Sequence, residues 1–201
     1  EELSLGGLLG QKVFWLFLVI MICAGASEQA MSQWASAFAE SGLRVSKTVG
    51  DLAGPCAFAL LMGTSRALYA KYSEKLPLKK FMKMSAVLCI LCYVVAAFSG
   101  QAVIGLLGCA LCGFSVGIFW PGTFSVAAGR LPGGGTAMYA LMALAGDVGC
   151  SSGPTVVGLA AGAFGGDLKK GLAIAMIFPV MILLGICMMK EQKKEGQTKG
   201  R

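Results

Sequence analysis

The chain has 201 residues, 56% hydrophobic and 13% charged, with a mean hydropathy of +0.74 and a formal net charge of +7. Soluble domains carry about 25% charged residues, so this composition excludes a soluble enzyme and leaves a membrane protein. With no histidine anywhere in the chain, the commonest general base and metal ligand is excluded as well.

A span of about 20 apolar residues crosses a hydrocarbon core of about 30 Å. Six such stretches follow one another, near residues 13–38, 49–68, 81–98, 102–128, 136–163 and 171–189. The expected fold class is therefore an all-α membrane protein, with a six-helix transmembrane domain over residues 1–190 and a polar, basic tail, 191–201. The first residue is Glu rather than Met and no leader pattern opens the chain, so no leader peptide is expected and further chain is expected upstream.

The first stretch, VFWLFLVIMICAGASEQAMSQWASAF, places Glu28 about halfway along. A carboxylate at hydrocarbon depth costs about 2.5 kcal/mol or more on insertion scales and by default marks a pathway or binding site. At about 100° per residue, Ser32, Gly25, Ser36, Gln29 and Gln33 all fall within about 140° of Glu28. Such an arc must face a bundle interior or a water-filled cavity. Two readings of Glu28 follow. In one it exchanges a proton as the cavity opens to either side, while Gln29, Ser32 and Gln33 bond the acid or a solute hydroxyl; in the other it stays neutral and bonded within the bundle. Trp34 lies off this arc and reads as packing or an interfacial anchor.

Between the second and third stretches runs the basic link YAKYSEKLPLKKFMK. On the side of the N-terminus fall Lys12, Arg66, Lys71, Lys75, Lys79, Lys80, Lys83, Arg130 and the five cations of the tail; Arg44, Lys47, Lys169 and Lys170 fall on the other. The positive-inside rule then places both ends in the cytoplasm, in a multi-pass protein of the plasma (inner) membrane. Anionic lipid accounts for the basic pI of about 9.1, and no nucleic-acid partner is expected.

Stretches three and four contain CILCYVVAAFSGQAVIGLLGCALC, which has the spacing of a zinc ribbon. Four thiolates on one divalent ion would leave two net negative charges at bilayer depth, with no basic residue between 84 and 129 to offset them. Packing of four small buried thiols is the favoured reading over a metal or redox pair. No metal or other cofactor is expected.

In the fifth stretch Asp147 stands eleven residues past its start, near the midplane. It either lines one cavity with Glu28 or caps the irregular Gly153-Pro154 region beyond it. VGDLAGPCAFALLMG (49–63) and AGDVGCSSGPTVVG (145–158) share Gly-Asp followed by Gly-Pro, at the second helix of each three-helix unit. Three is an odd number, so the two units run inverted, and paired Gly/Pro-interrupted helices in inverted repeats point to a transporter's binding region. Gly-x-x-x-Gly pairs at 50/54, 113/117, 149/153 and 158/162 allow close helix approach, either within this unit or against a partner on helices two and five. LPGGGTAMYA is Gly-rich but lacks the Lys-Ser/Thr that holds phosphate.

Gly63-Thr64-Ser65-Arg66 with Lys71 resembles the loop motif after the second helix of each half of a major facilitator superfamily (MFS) transporter. Gly117-Ile118-Phe119-Trp120-Pro121 and Gly146-Asp147 through Gly153-Pro154 to Gly158 are similar to C-terminal halves of bacterial members, and Glu28 with Trp34 resembles the sugar-permease-like branch. The motif's Asp and second Gly are absent here, as in the weaker copy of C-terminal halves.

The resemblance implies the C-terminal half of an MFS fold, six helices as two inverted three-helix repeats. It further implies secondary transport of a small-molecule polar solute by alternating access, as a proton symport. The solute and proton pathway would comprise Glu28, Gln29, Ser32, Gln33 and Asp147, and a cytoplasmic gate Gly63, Arg66, Lys71 and Arg130. Partners would be the lipid bilayer and a missing N-terminal six-helix half packed on helices two and five. A free-standing six-helix scaffold or assembly protein is the alternative; with no Walker lysine and no Ser/His/Asp set, an enzyme is not expected.

Overall fold

A computed structural model describes residues 3–43 and 46–189. Arg44 and the basic tail lie outside the described residues, as do the side chains at 37–39, 41–43, 51, 53 and 102. Regular structure among the described residues is entirely helical: α1 (Leu5–Leu9), α2 (Lys12–Leu43), α3 (Lys47–Tyr72), α4 (Leu78–Phe98), α5 (Ala102–Val116), α6 (Phe119–Arg130), α7 (Gly135–Ala163), α8 (Leu168–Ala175) and α9 (Ile177–Met188).

Two features differ from the six uninterrupted helices expected. Helix α1 is extra, one turn capped by Ser4, whose Oγ accepts from the Gly7 N–H at 3.2 Å, and its start is clipped to the turn between α6 and α7 by Leu3 N–H donating to Gly133 O at 2.7 Å. Five residues are too few to register in a scan for spans. The fourth and sixth rods are each divided, at Gly117-Ile118 and at Met176, four and three residues before Pro121 and Pro179. Proline has no N–H to give the carbonyl four residues back, so the ladder opens there.

Four runs are long and apolar enough to cross a membrane: Lys12–Ser36, Leu78–Phe98, Val103–Arg130 and Leu168–Met188. Helices α3 and α7 have 26 and 29 residues, about 39 and 43 Å at the usual rise, so length is not what keeps them out of that set. Their polar content does: α3 carries Thr64 and Arg66, and α7 carries Asp147, Ser151, Ser152 and Thr155.

Helix α2 runs through the centre, against α3, α5, α7 and α9. Its buried face presents Phe14, Phe17, Ile20, Met21 and Met31, and the fully buried Tyr93 of α4 donates its hydroxyl to the Ser27 carbonyl at 2.8 Å.

Glycine sets the closest approaches. A Cβ on Gly149 would lie 2.0 Å from Ile22 O, and one on Gly153 would lie 2.4 Å from Ala26 O, so α2 and α7 run parallel with their backbones in contact. Likewise a Cβ on Gly113 would lie 2.2 Å from Phe58 O, and one on Gly117 would lie 2.8 Å from Met62 O, which makes α3 and α5 a second parallel pair. Moving 91 residues along the chain converts one set of contacts into the other (113 − 22 and 149 − 58; 117 − 26 and 153 − 62). The same shift carries Leu78–Phe98 onto 169–189, beside α8 and α9, and Lys47–Tyr72 onto 138–163, within α7. The Gly-Asp and Gly-Pro echoes are spaced 96 and 99 residues (146 − 50 and 153 − 54), so they do not stand at equivalent places in this repeated packing.

Candidate functional site

The division of the fourth rod builds the site. Because Pro121 cannot donate to the Gly117 carbonyl, that oxygen is left for another donor, and Arg66 of α3 takes it, Nε to O at 2.9 Å. The close α3–α5 packing at Gly117 brings the guanidinium there. Its charged group then shares a cavity of about 450 Å³ with Glu28 of α2, walled by Trp120, Pro121 and Phe124 of α6. One acid and one base therefore face a common space lined otherwise by aromatic and apolar groups.

Trp120 closes the α7 side. Its ring lies so near Gly146 that a Cβ there would come within 2.4 Å of Cη2, so only glycine admits the indole at this position. Phe124 continues the aromatic wall, its ring centroid 6.3 Å from that of Trp120 and 5.8 Å from that of Tyr139. The Trp120 indole N–H is buried without a hydrogen-bond partner among the described residues, as is that of Trp34, whose ring a Cβ on Gly158 would meet at 3.6 Å. A buried donor of this kind is held at a cost unless something in the site accepts from it.

The polar arc of α2 does not act as one surface. Glu28 lines the cavity, Gln29 and Ser32 are half-buried, Gln33 is exposed, and the Ser36 hydroxyl donates to Glu40 Oε1 at 3.5 Å. Asp147 is exposed on α7, next to the glycine that carries Trp120; Cys150 lies within electrostatic reach of both Asp147 and Glu28. Asp147 is thus close to the cavity without being among its lining residues.

The three cations and the glycine expected at a gate separate. Arg66, itself exposed, reaches from α3 to the orphaned Gly117 carbonyl and so lines the Glu28 cavity. Gly63 and Lys71 stay exposed, the Lys71 ammonium 5.6 Å above the Tyr72 ring, and Arg130 lines a different cavity between α4 and α6. Trp120, Pro121 and Phe124 carry the site yet went unassigned as lining residues; the signal was Pro121 four residues after Gly117, which predicts a free carbonyl in mid-membrane.

Cys89, Cys92, Cys109 and Cys112 are buried together across the α4–α5 hairpin, with the sulfurs of Cys89 and Cys112 at 3.8 Å. The Ser115 hydroxyl donates to the Cys112 carbonyl at 2.7 Å. Among the described residues no cluster of three or more His, Cys, Asp or Glu has the geometry to hold a metal ion.

No curated protein and no solved structure matches the chain. A family model, that of the Major Facilitator Superfamily, matches residues 2–154, most of the chain and all of the elements from α2 to α6 that build the cavity. With long apolar helices, a charged cavity between them and a family match over this length, the chain belongs to the Major Facilitator Superfamily, a family of membrane transporters.

Proposed function

We propose that this chain is the C-terminal six-helix half of a secondary transporter of the sugar-permease-like branch, moving a small polar solute by alternating access with proton coupling at Glu28. The observation that carries the site reading is the pairing of Glu28 and Arg66 in one cavity. A small solute with hydroxyls can accept from Arg66 and donate to Glu28. Protonation of Glu28 removes the charge that Arg66 faces, so proton occupancy and solute occupancy compete or cooperate for the same guanidinium. Opening of either end then follows from which partner Arg66 holds, with the Gly117 carbonyl as its resting acceptor.

Two inverted three-helix repeats are supported by the 91-residue shift of the packing. A partner half on α3 and α7 is supported by their outward faces. Leu52, Leu60 and Leu68 on α3, and Leu144, Val148 and Leu159 on α7, are exposed beside Thr64, Asp147, Ser151 and Thr155. Lipid is a poor solvent for such mixed faces, and another protein surface or a water-filled cleft is a good one. The glycine pairs do not add to this, since 113/117 and 149/153 are used inside the chain.

The test is Glu28→Gln in the chain co-expressed with its upstream half. The variant keeps shape and hydrogen bonding and removes titration, so proton-driven accumulation is lost while counterflow exchange persists. Unchanged pH-dependent accumulation would return Glu28 to a structural role, and uptake by the chain alone would favour a free-standing protein.

A further inference from the structure

The four buried thiols of the α4–α5 hairpin take no part in the charged cavity. Gly108 sets their spacing: a Cβ there would lie 3.2 Å from Cys92 O, so the two helices run backbone to backbone at that level. One turn onward along α5 and one turn back along α4, the hairpin places Cys112 opposite Cys89, with the sulfurs 3.8 Å apart and both side chains buried. Each sulfur has to move by about 0.9 Å to reach the about 2.05 Å of a disulfide. The Ser115 hydroxyl lies 3.9 Å from Cys112 Sγ and gives an oxygen bound to that sulfur a hydrogen-bond partner.

Charge selects the chemistry open to such a pair. Both helices belong to runs apolar enough to cross a membrane, where a charged product is costly and a neutral one is not. Two thiols and a disulfide are both neutral. We propose that Cys89 and Cys112 are a modification site, closed into a disulfide by a small, neutral, membrane-permeant peroxide. One thiol attacks the O–O bond and becomes a sulfenic acid, its proton leaving with the departing oxygen as water. The second thiol then displaces the sulfenic hydroxyl as another water, so that two thiols are oxidised and one peroxide is reduced. A charged cytoplasmic thiol such as glutathione would have to bring a thiolate to the same depth to reverse the bond, so the closed form persists beside a reducing compartment. Cys112 precedes Gly113, which packs on Phe58, and stands five residues before Gly117, whose carbonyl holds Arg66. The bond therefore ties to α4 the stretch of α5 on which the charged cavity is built.

Differential thiol labelling of the full wild-type chain in lipid nanodiscs tests the assignment. The protein is treated with millimolar hydrogen peroxide and unfolded, its free thiols are blocked with N-ethylmaleimide, and after reduction the released thiols take the deuterated reagent. Chymotryptic peptides, cut at Tyr93 and Phe98 between the two cysteines, are then read by fragment spectra. Cys89 and Cys112 carry the second label in most molecules and in equal amounts. Cys112→Ala returns Cys89 to the first label, whereas C92A/C109A leaves the pair forming. Cys89 and Cys112 both keeping the first label overturns the proposal, as does their separate oxidation to sulfinic acids or the pairing of Cys89 with Cys92 or Cys109 instead. Those outcomes are read on the wild-type chain, so a variant that fails to fold does not decide the matter.

Discussion

The two parallel helix pairs, α2 with α7 and α3 with α5, have the same geometry and different uses. In the first the glycines belong to α7, with Gly149 and Gly153 against Ile22 and Ala26 of α2; in the second they belong to α5, with Gly113 and Gly117 against Phe58 and Met62 of α3. Under the 91-residue shift, Gly149 corresponds to Phe58 and Gly113 to Ile22, so the later stretch supplies the glycine in both pairs and the earlier stretch supplies the larger side chain. What such a contact requires is one residue without a Cβ per crossing point, from either helix. Two stretches of chain can therefore keep one packing without a residue-by-residue likeness that would reveal it. The second pair has also acquired a chemical use, because Pro121 follows Gly117 by one turn and leaves its carbonyl to Arg66.

The largest effects test whether the pairs are equivalent. Gly149→Val and Gly113→Val both drive a side chain into a backbone carbonyl, 2.0 Å from Ile22 O and 2.2 Å from Phe58 O, where no rotamer change relieves the clash. Each should cost about 3 kcal/mol or more and abolish a monodisperse peak in size-exclusion chromatography. If one variant folds normally while the other does not, the pairs are unequal and the repeat reading fails at that crossing.

A middle-sized effect separates the use of the second pair from its packing. Arg66→Gln removes the bond to Gly117 O and should lower thermal stability by about 1 to 2 kcal/mol. Pro121→Ala restores an N–H to that carbonyl, and in its background the further loss on Arg66→Gln should shrink, a coupling of about 1 kcal/mol in a double-mutant cycle. Strict additivity of the two changes would disconnect proline and arginine.

The smallest effect is expected at Gly162, where a Cβ would meet nothing within 4 Å. Gly162→Ala should raise the melting temperature slightly, by a gain of up to about 1 kcal/mol in helix propensity. Gly162→Leu should leave the chain alone unaffected but weaken its association with an upstream half, measured by co-purification. A leucine tolerated in both settings would remove this end of α7 from the proposed interface.

Hydropathy along the chain was enough to place a membrane protein on the page, since the cost of polar groups in hydrocarbon acts on each short segment independently of the rest; the family resemblance came from the short motifs at 63–66, 117–121 and 146–158. Glu28 announced itself for the same reason: a carboxylate among apolar neighbours is legible wherever the chain goes. The short α1, the divided fourth and sixth rods and the 91-residue register were not read, although Pro121 and Pro179 marked the divisions locally. Only the tertiary structure decided that Arg66 faces Glu28, that Trp120 lies on Gly146, and that Arg130 joins three lysines in another cavity. Those partners stand tens of residues apart in sequence, and which of them meet depends on where glycines let two backbones touch, a property of pairs of helices that no single segment contains.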